Sequence, residues 1–135
     1  MASNANYAAT PKVGVATIST ANTNRDGTGT IGTVFTAGAS GSLIDAVEVK
    51  ATGTTTAGMV RLFLHDGTSA HLICEIPVLA VTPSATVPAW SAIVNSQGMN
   101  NGTIQLPLRI PTGWSLRAST HNAETFKVVG FGGDF

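Results

Sequence analysis

Charge is scarce in this chain. Asp, Glu, Lys and Arg make up 10% of its residues, against about 25% in an average soluble domain. Lys+Arg and Asp+Glu both number 7, so the formal net charge is zero. No Lys/Arg run is present. Binding a phosphate backbone requires a basic stripe, so nucleic acid is excluded as an expected partner. Cysteine is nearly absent. Cys74 stands alone, so no intramolecular disulfide forms, which suits folding in a reducing cytoplasm. Long apolar runs are missing too. The most apolar stretch, Leu72 to Val81, is interrupted by Glu75 and Pro77 and is too short to span a bilayer. Met1 to Lys12 lacks a basic start followed by an apolar run, so no secretory signal is expected. Helix formers are few, and no window carries a sustained 3.6-residue stripe.

What the chain does have is enough apolar residue for a core, 43% of its 135 residues. A domain of this size buries roughly two-thirds of its unfolded surface and needs no staple. A neutral, weakly charged surface favours association, so part of it is expected to be covered by protein.

Short β-branched and apolar runs alternate with Gly/Asn/Asp/Pro clusters, the pattern of many strands joined by turns. Strands are expected near Val13–Ser19, Thr30–Thr36, Leu43–Ala51, Met59–His65, His71–Val81, Trp90–Asn95, Thr103–Ile110, Trp114–Thr120 and Thr125–Phe131. In one of them Ile104, Leu106, Leu108 and Ile110 share a face, with Gln105, Pro107 and Arg109 on the other. Pro107 cannot donate to a ladder, so that strand belongs at an edge or carries a bulge. Val60, Leu62 and Leu64 point inward by the same parity, leaving Arg61 and His65 outside. Leu62, Leu64, Leu72, Ile76, Leu106, Leu108 and Leu116 are expected to be buried together. Gly67 and Gly113 mark turns between strands. The spacing predicts an all-β, two-sheet antiparallel sandwich, with jelly roll the leading topology.

Residues 13–135 form one domain in this reading, and Met1–Lys12 is an extended N-terminal arm or a frayed terminus. Tyr7 is the one residue of that segment large enough to anchor it in a neighbour. Phe63 and Ile73 are apolar on the nominally outer parity, and Met99 sits mid-loop in Asn95–Gly102. Phe131 and Phe135 close the chain, either in a last strand or in a tag that docks on a neighbour. These six residues are the candidate partner-binding set. Self-association as a trimer or dimer is expected from the low charge.

Chemistry is poorly signalled. His65, His71 and Cys74 are near in sequence, but strand parity turns Cys74 into the core with Leu72 and Ile76. His65, His71 and Glu75 are left to share the outer face. No metal or other cofactor is expected. No nucleophile elbow appears, carboxylates are dispersed, and an enzyme is not expected. Gly27-Thr-Gly-Thr-Ile-Gly32 matches G-x-G-x-x-G, but a strand follows it rather than a helix. Trp90 and Trp114 each open an apolar strand and read as core rather than as sugar platforms.

Three stretches carry a likeness to known proteins. They are Gly53-Thr-Thr-Thr-Ala-Gly-Met-Val-Arg-Leu-Phe-Leu-His-Asp-Gly67, Ile110-Pro-Thr-Gly-Trp-Ser-Leu-Arg-Ala-Ser-Thr-His-Asn-Ala-Glu124, and the Gly132-Gly-Asp-Phe135 ending. With Ala21-Asn-Thr-Asn-Arg-Asp-Gly-Thr-Gly29, they resemble a group of small tailed-phage and prophage virion proteins. The resemblance implies a particle component made in the host cytoplasm and located in the virion. It is most like a head decoration (cement) protein that binds the major capsid protein lattice and stabilises the head. It carries over no catalytic residue. The alternative is a receptor- or glycan-binding module of a phage fibre, which uses the same fold.

Overall fold

The computed structural model describes residues 8–94 and 106–135. Nine strands lie among them: β1 (Thr10–Ile18), β2 (Gly32–Thr36), β3 (Ser42–Ala51), β4 (Gly58–His65), β5 (Ala70–Val78), β6 (Ser91–Val94), β7 (Leu108–Ile110), β8 (Ser115–Thr120) and β9 (Phe126–Asp134). There is no helix among the described residues. One antiparallel sheet runs β1-β9-β3-β6, with β7 also on β3, and the other runs β2-β8-β4-β5. β6 pairs with Val47–Lys50 and β7 with Ser42–Ile44, so they lie end to end along one edge of β3. This strand order, crossing between the sheets from β1 through β4, from β5 to β6 and from β7 to β9, is that of a jelly roll.

Turn chemistry places the hairpins. Gly67 takes φ +96 and Gly113 φ +86, the left-handed region that disfavours side chains. Asp66 Oδ1 accepts the backbone N–H groups of Thr68 (2.9 Å) and Ser69 (2.8 Å) and so closes the β4–β5 turn. The Ser69 N–H, then the His71 ring and the Thr68 N–H, hold the Asp66 carboxyl well below its ordinary range.

The core lies between the sheets. Ile44, Val47, Val49, Val60, Leu62, Ile76, Val94, Leu116 and Val128 are fully buried there. Trp90 packs edge-on to Phe126 at 5.8 Å. Leu62, Ile76, Leu106 and Leu116 join this core as expected, with Leu64, Leu108 and Trp114 half-buried against it. Cys74 is buried in the same cluster. Among the described residues β7 pairs with β3 alone, in keeping with the edge or bulge expected beside Pro107. Ile104 and Gln105 lie outside the described residues.

Three expectations are corrected. First, β1 begins at Thr10, and Thr10, Pro11 and Lys12 pair with Asp134, Gly133 and Gly132. The sandwich therefore takes in the end of the segment read as an arm; Pro11 is tolerated because β1 is an edge strand. Second, Leu72 is outside the core cluster. Leu62 faces Cys74 but Phe63 faces Leu72, so Ile73 is an extra residue in β5. That bulge flips the parity of everything before it. Third, Arg61 does not point to solvent. It is 2% exposed, although it lies on the outer parity of β4.

Arg61 is covered by the chain between β1 and β2. Ala21 makes a parallel bridge to Thr120, and the Asn22 N–H donates to the Thr120 carbonyl at 2.8 Å. The Arg61 guanidinium donates to Glu75 Oε2 (3.0 Å) and to the Asn22 carbonyl (3.4 Å), and approaches His121 Nδ1 at 3.4 Å. Arg25 donates to the same Glu75 oxygen at 2.8 Å. Residues 19–31 thus cross the outer face of the second sheet, held by a buried Arg and an Arg–Glu–Arg chain.

Candidate functional site

With the β2-β8-β4-β5 sheet partly covered, the bare face is that of β1-β9-β3-β6. Midway along β1 the inward-facing residues, Gly14 and Ala16, are small. A Cβ on Gly14 would lie 2.0 Å from the Val34 carbonyl oxygen, so only glycine lets β1 close onto β2. The larger Val13 and Val15 are therefore turned to solvent, at 59% and 57% exposure.

The register lines these residues up across the sheet. Val13 faces Phe131, which faces Ala46. Val15 faces Val129, which faces Glu48, which faces Ile93. Phe131 and Ile93 are 38% and 53% exposed. The next row is polar: Thr17, Lys127, Lys50 and Ser91. Lys127 donates to Thr17 Oγ1 at 2.7 Å, and neither lysine has a carboxylate partner among the described residues. Two like charges side by side on a sheet repel unless something screens them. A groove of about 400 Å³ lined by Glu48, Ser91, Ala92 and Ile93 completes the face. Glu48 sits within the Val15 row, between Val129 and Ile93; apolar side chains interspersed with a few polar groups are the anatomy of a protein contact.

The expected partner-binding residues divide. Phe131 is on this face. Phe135 is half-buried beside it in sequence, with the Arg109 guanidinium 5.5 Å from its ring and its N–H on the Gly41 carbonyl. β9 runs to Asp134 between β1 and β3, so Phe131 belongs to a central strand. Phe63 is corrected: it is fully buried on β4, on the parity that residues 19–31 cover at Arg61. Ile73 is corrected as well, because the bulge turns it against the core. Tyr7 and Met99 lie outside the described residues. Val13, Val15 and Ile93 were missed. The Val-Gly-Val-Ala alternation held the signal for β1, since small residues at one parity reveal a close approach on that side.

The histidines are placed apart in role. His65 Nδ1 accepts the Gly67 N–H at 3.0 Å, and His71 Nε2 pairs with Asp66 Oδ2 at 2.9 Å. Among the described residues, no group of three or more His, Cys, Asp and Glu side chains is arranged to hold a metal ion. At the far corner, Asp134 accepts from the Ser42 hydroxyl and from Lys12 Nζ (3.2 Å). The Ser42 hydroxyl, followed by Lys12, lowers its carboxyl pKa. This clasp ties β1, β3 and β9 together and is structural. No family model matches this chain, and no curated protein is significantly similar to it.

Proposed function

We propose that this chain is a structural component of a bacteriophage particle, a head decoration protein that works by contact and not by turnover. The observation that carries the reading is the bare apolar face of Val13, Val15, Ile93 and Phe131 on a small jelly roll. The virion-protein resemblance of residues 21–29, 53–67 and 110–124 supplies the context. The occupant is the major capsid protein surface, presenting apolar residues flanked by acidic groups that answer Lys50 and Lys127.

Magnitudes support a repeated rather than a solitary contact. Covering four half-exposed apolar side chains contributes on the order of 4 kcal/mol. Association alone costs about that much or more. Binding at this face therefore needs either further contacts or several linked copies, and avidity on a regular particle provides the latter.

The test is to purify particles from cells expressing the chain and measure its copy number per particle. A fixed, high copy number that collapses for Phe131→Asp, while the variant remains folded, is the expected result. A chain absent from purified particles, or a variant that attaches as well as wild type, rejects the reading.

A further inference from the structure

On the opposite side of the molecule, residues 26–31 and the β4–β5 turn leave a cleft of about 300 Å³. Its floor carries Arg117 and His65 from the outer parity of β8 and β4, and its walls carry Asp26, Thr28, Ile31, Thr68 and Ser69. We propose that this cleft binds one acidic monosaccharide unit, a ring bearing a carboxylate and hydroxyls, of the uronic acid kind.

The donors and acceptors in the cleft match that ligand. Arg117 Nε donates to Ser115 Oγ at 3.1 Å, which fixes the guanidinium plane. No carboxylate among the described residues pairs with it, so its terminal nitrogens keep a vacant bidentate fork. A planar fork of this kind fits a carboxylate. His65 Nδ1 is occupied as an acceptor, so in the neutral ring the proton sits on Nε2 and makes it a second donor. Asp26 provides the opposite chemistry. Its Oδ1 takes the Thr28 N–H (3.1 Å) and the Thr28 hydroxyl (2.6 Å), and its Oδ2 has no partner among the described residues. A carboxylate oxygen in that position accepts sugar hydroxyls. The Thr68 and Ser69 hydroxyls serve either role. Ile31 gives the ring an apolar side. A bare anion would leave Asp26 opposing it, whereas a hydroxylated anion uses both walls.

The wall is preorganised. Asn22 is buried, donates to the Thr28 and Thr30 carbonyls at 3.0 Å each, and accepts the Asn24 N–H at 3.0 Å. Gly27 and Gly29 take φ +86 and +84, and a Cβ on Gly27 would sit 2.4 Å from the Ala70 carbonyl oxygen. The Arg25–Glu75 bridge pins the same segment. Little ordering cost is left for the ligand to meet. The inference does not depend on the particle-contact reading, since the two sites lie on different sheets.

The test is an NMR titration of the isotope-labelled full chain with glucuronate, glucose and inorganic phosphate at constant ionic strength. Saturable shifts are expected at residues 26–31, 65–70 and 117 with glucuronate, with a Kd of about 1 mM. Glucose and phosphate should each bind about tenfold more weakly or worse. Arg117→Gln should lose about tenfold with an otherwise unchanged spectrum. Should that variant unfold, Arg117→Lys carries the test, keeping the charge while losing the fork and most of the binding. No saturable shift with glucuronate overturns the proposal, as does an Arg117→Lys that binds like wild type. Phosphate binding as tightly as glucuronate makes the cleft a bare anion site and overturns the sugar assignment.

Discussion

Replacing Glu75 by Gln tests how the outer face of the β2-β8-β4-β5 sheet is held. Glu75 Oε2 receives Arg61 at 3.0 Å and Arg25 at 2.8 Å, yet these two partners are not equivalent. The Arg61 side chain is 2% exposed and that of Arg25 is 60% exposed. Gln keeps an amide oxygen that accepts one N–H, but the buried guanidinium then meets only neutral acceptors: that oxygen, the Asn22 carbonyl and His121 Nδ1. Breaking a fully buried pair costs about 3–5 kcal/mol; with Glu75 30% exposed and the Gln amide still accepting, about 2 kcal/mol is expected here. For a domain between the small and mid-sized classes, that lowers Tm by roughly 8 °C. Arg25→Ala removes an exposed bridge and should cost under about 1 kcal/mol. Arg61→Met combined with Glu75→Met removes both charges and should be much milder than Glu75→Gln alone.

The pH dependence has a fixed sign. Partial burial pushes the Glu75 carboxyl up, but hydrogen bonds and charge from Arg25 and Arg61 outweigh it and hold the folded pKa below the ordinary 4.5. A depressed folded pKa means that the stabilisation is fully present above the unfolded value and is lost as pH falls through the folded one. The gap in stability between wild type and Glu75→Gln should therefore be constant near neutrality and shrink below about pH 4.5. Urea denaturation at a series of pH values measures it. A gap under about 1 kcal/mol at pH 7, or an Arg25→Ala loss equal to that of Glu75→Gln, would refute the reasoning.

Further outcomes follow from the same structure. Gly14→Val drives a side chain into the Val34 carbonyl and should destabilise by about 1–3 kcal/mol or more, read as a lower urea midpoint. Cys74, 2% exposed, should react with a thiol reagent only as fast as the domain opens, and at once in denaturant; fast labelling in native buffer would contradict its placement. Lys50→Glu with Lys127→Glu should weaken particle attachment, and rising salt should weaken the wild-type contact; salt-independent attachment would remove these lysines from it. Trp90→Ala should cost about 3–5 kcal/mol, because the indole is buried against Phe126.

Much of the fold was legible in the chain. The turn residues at Gly67 and Gly113, the β-branched runs and the missing helical stripe determined the strands, their approximate bounds and the all-β class. Local chemistry suffices there, because a turn that needs positive φ or a strand that alternates does so whatever it packs against. Alternation also assigned Leu62, Cys74 and Ile76 to one side of their hairpin. Alternation says which residues share a side, not which side is covered. Only the tertiary structure decided that residues 19–31 lie over Arg61, burying the outer parity of β4 there. Only it placed the extra residue at Ile73, which sent Leu72 and Ile73 to the sides opposite those expected. The apolar face and the cleft belong to this second kind of information. Val13, Phe131 and Ile93 come from three distant segments, as do Asp26, His65 and Arg117. A single sequence holds no record of which strands become neighbours, since that pairing is set by the long-range closure of the sandwich.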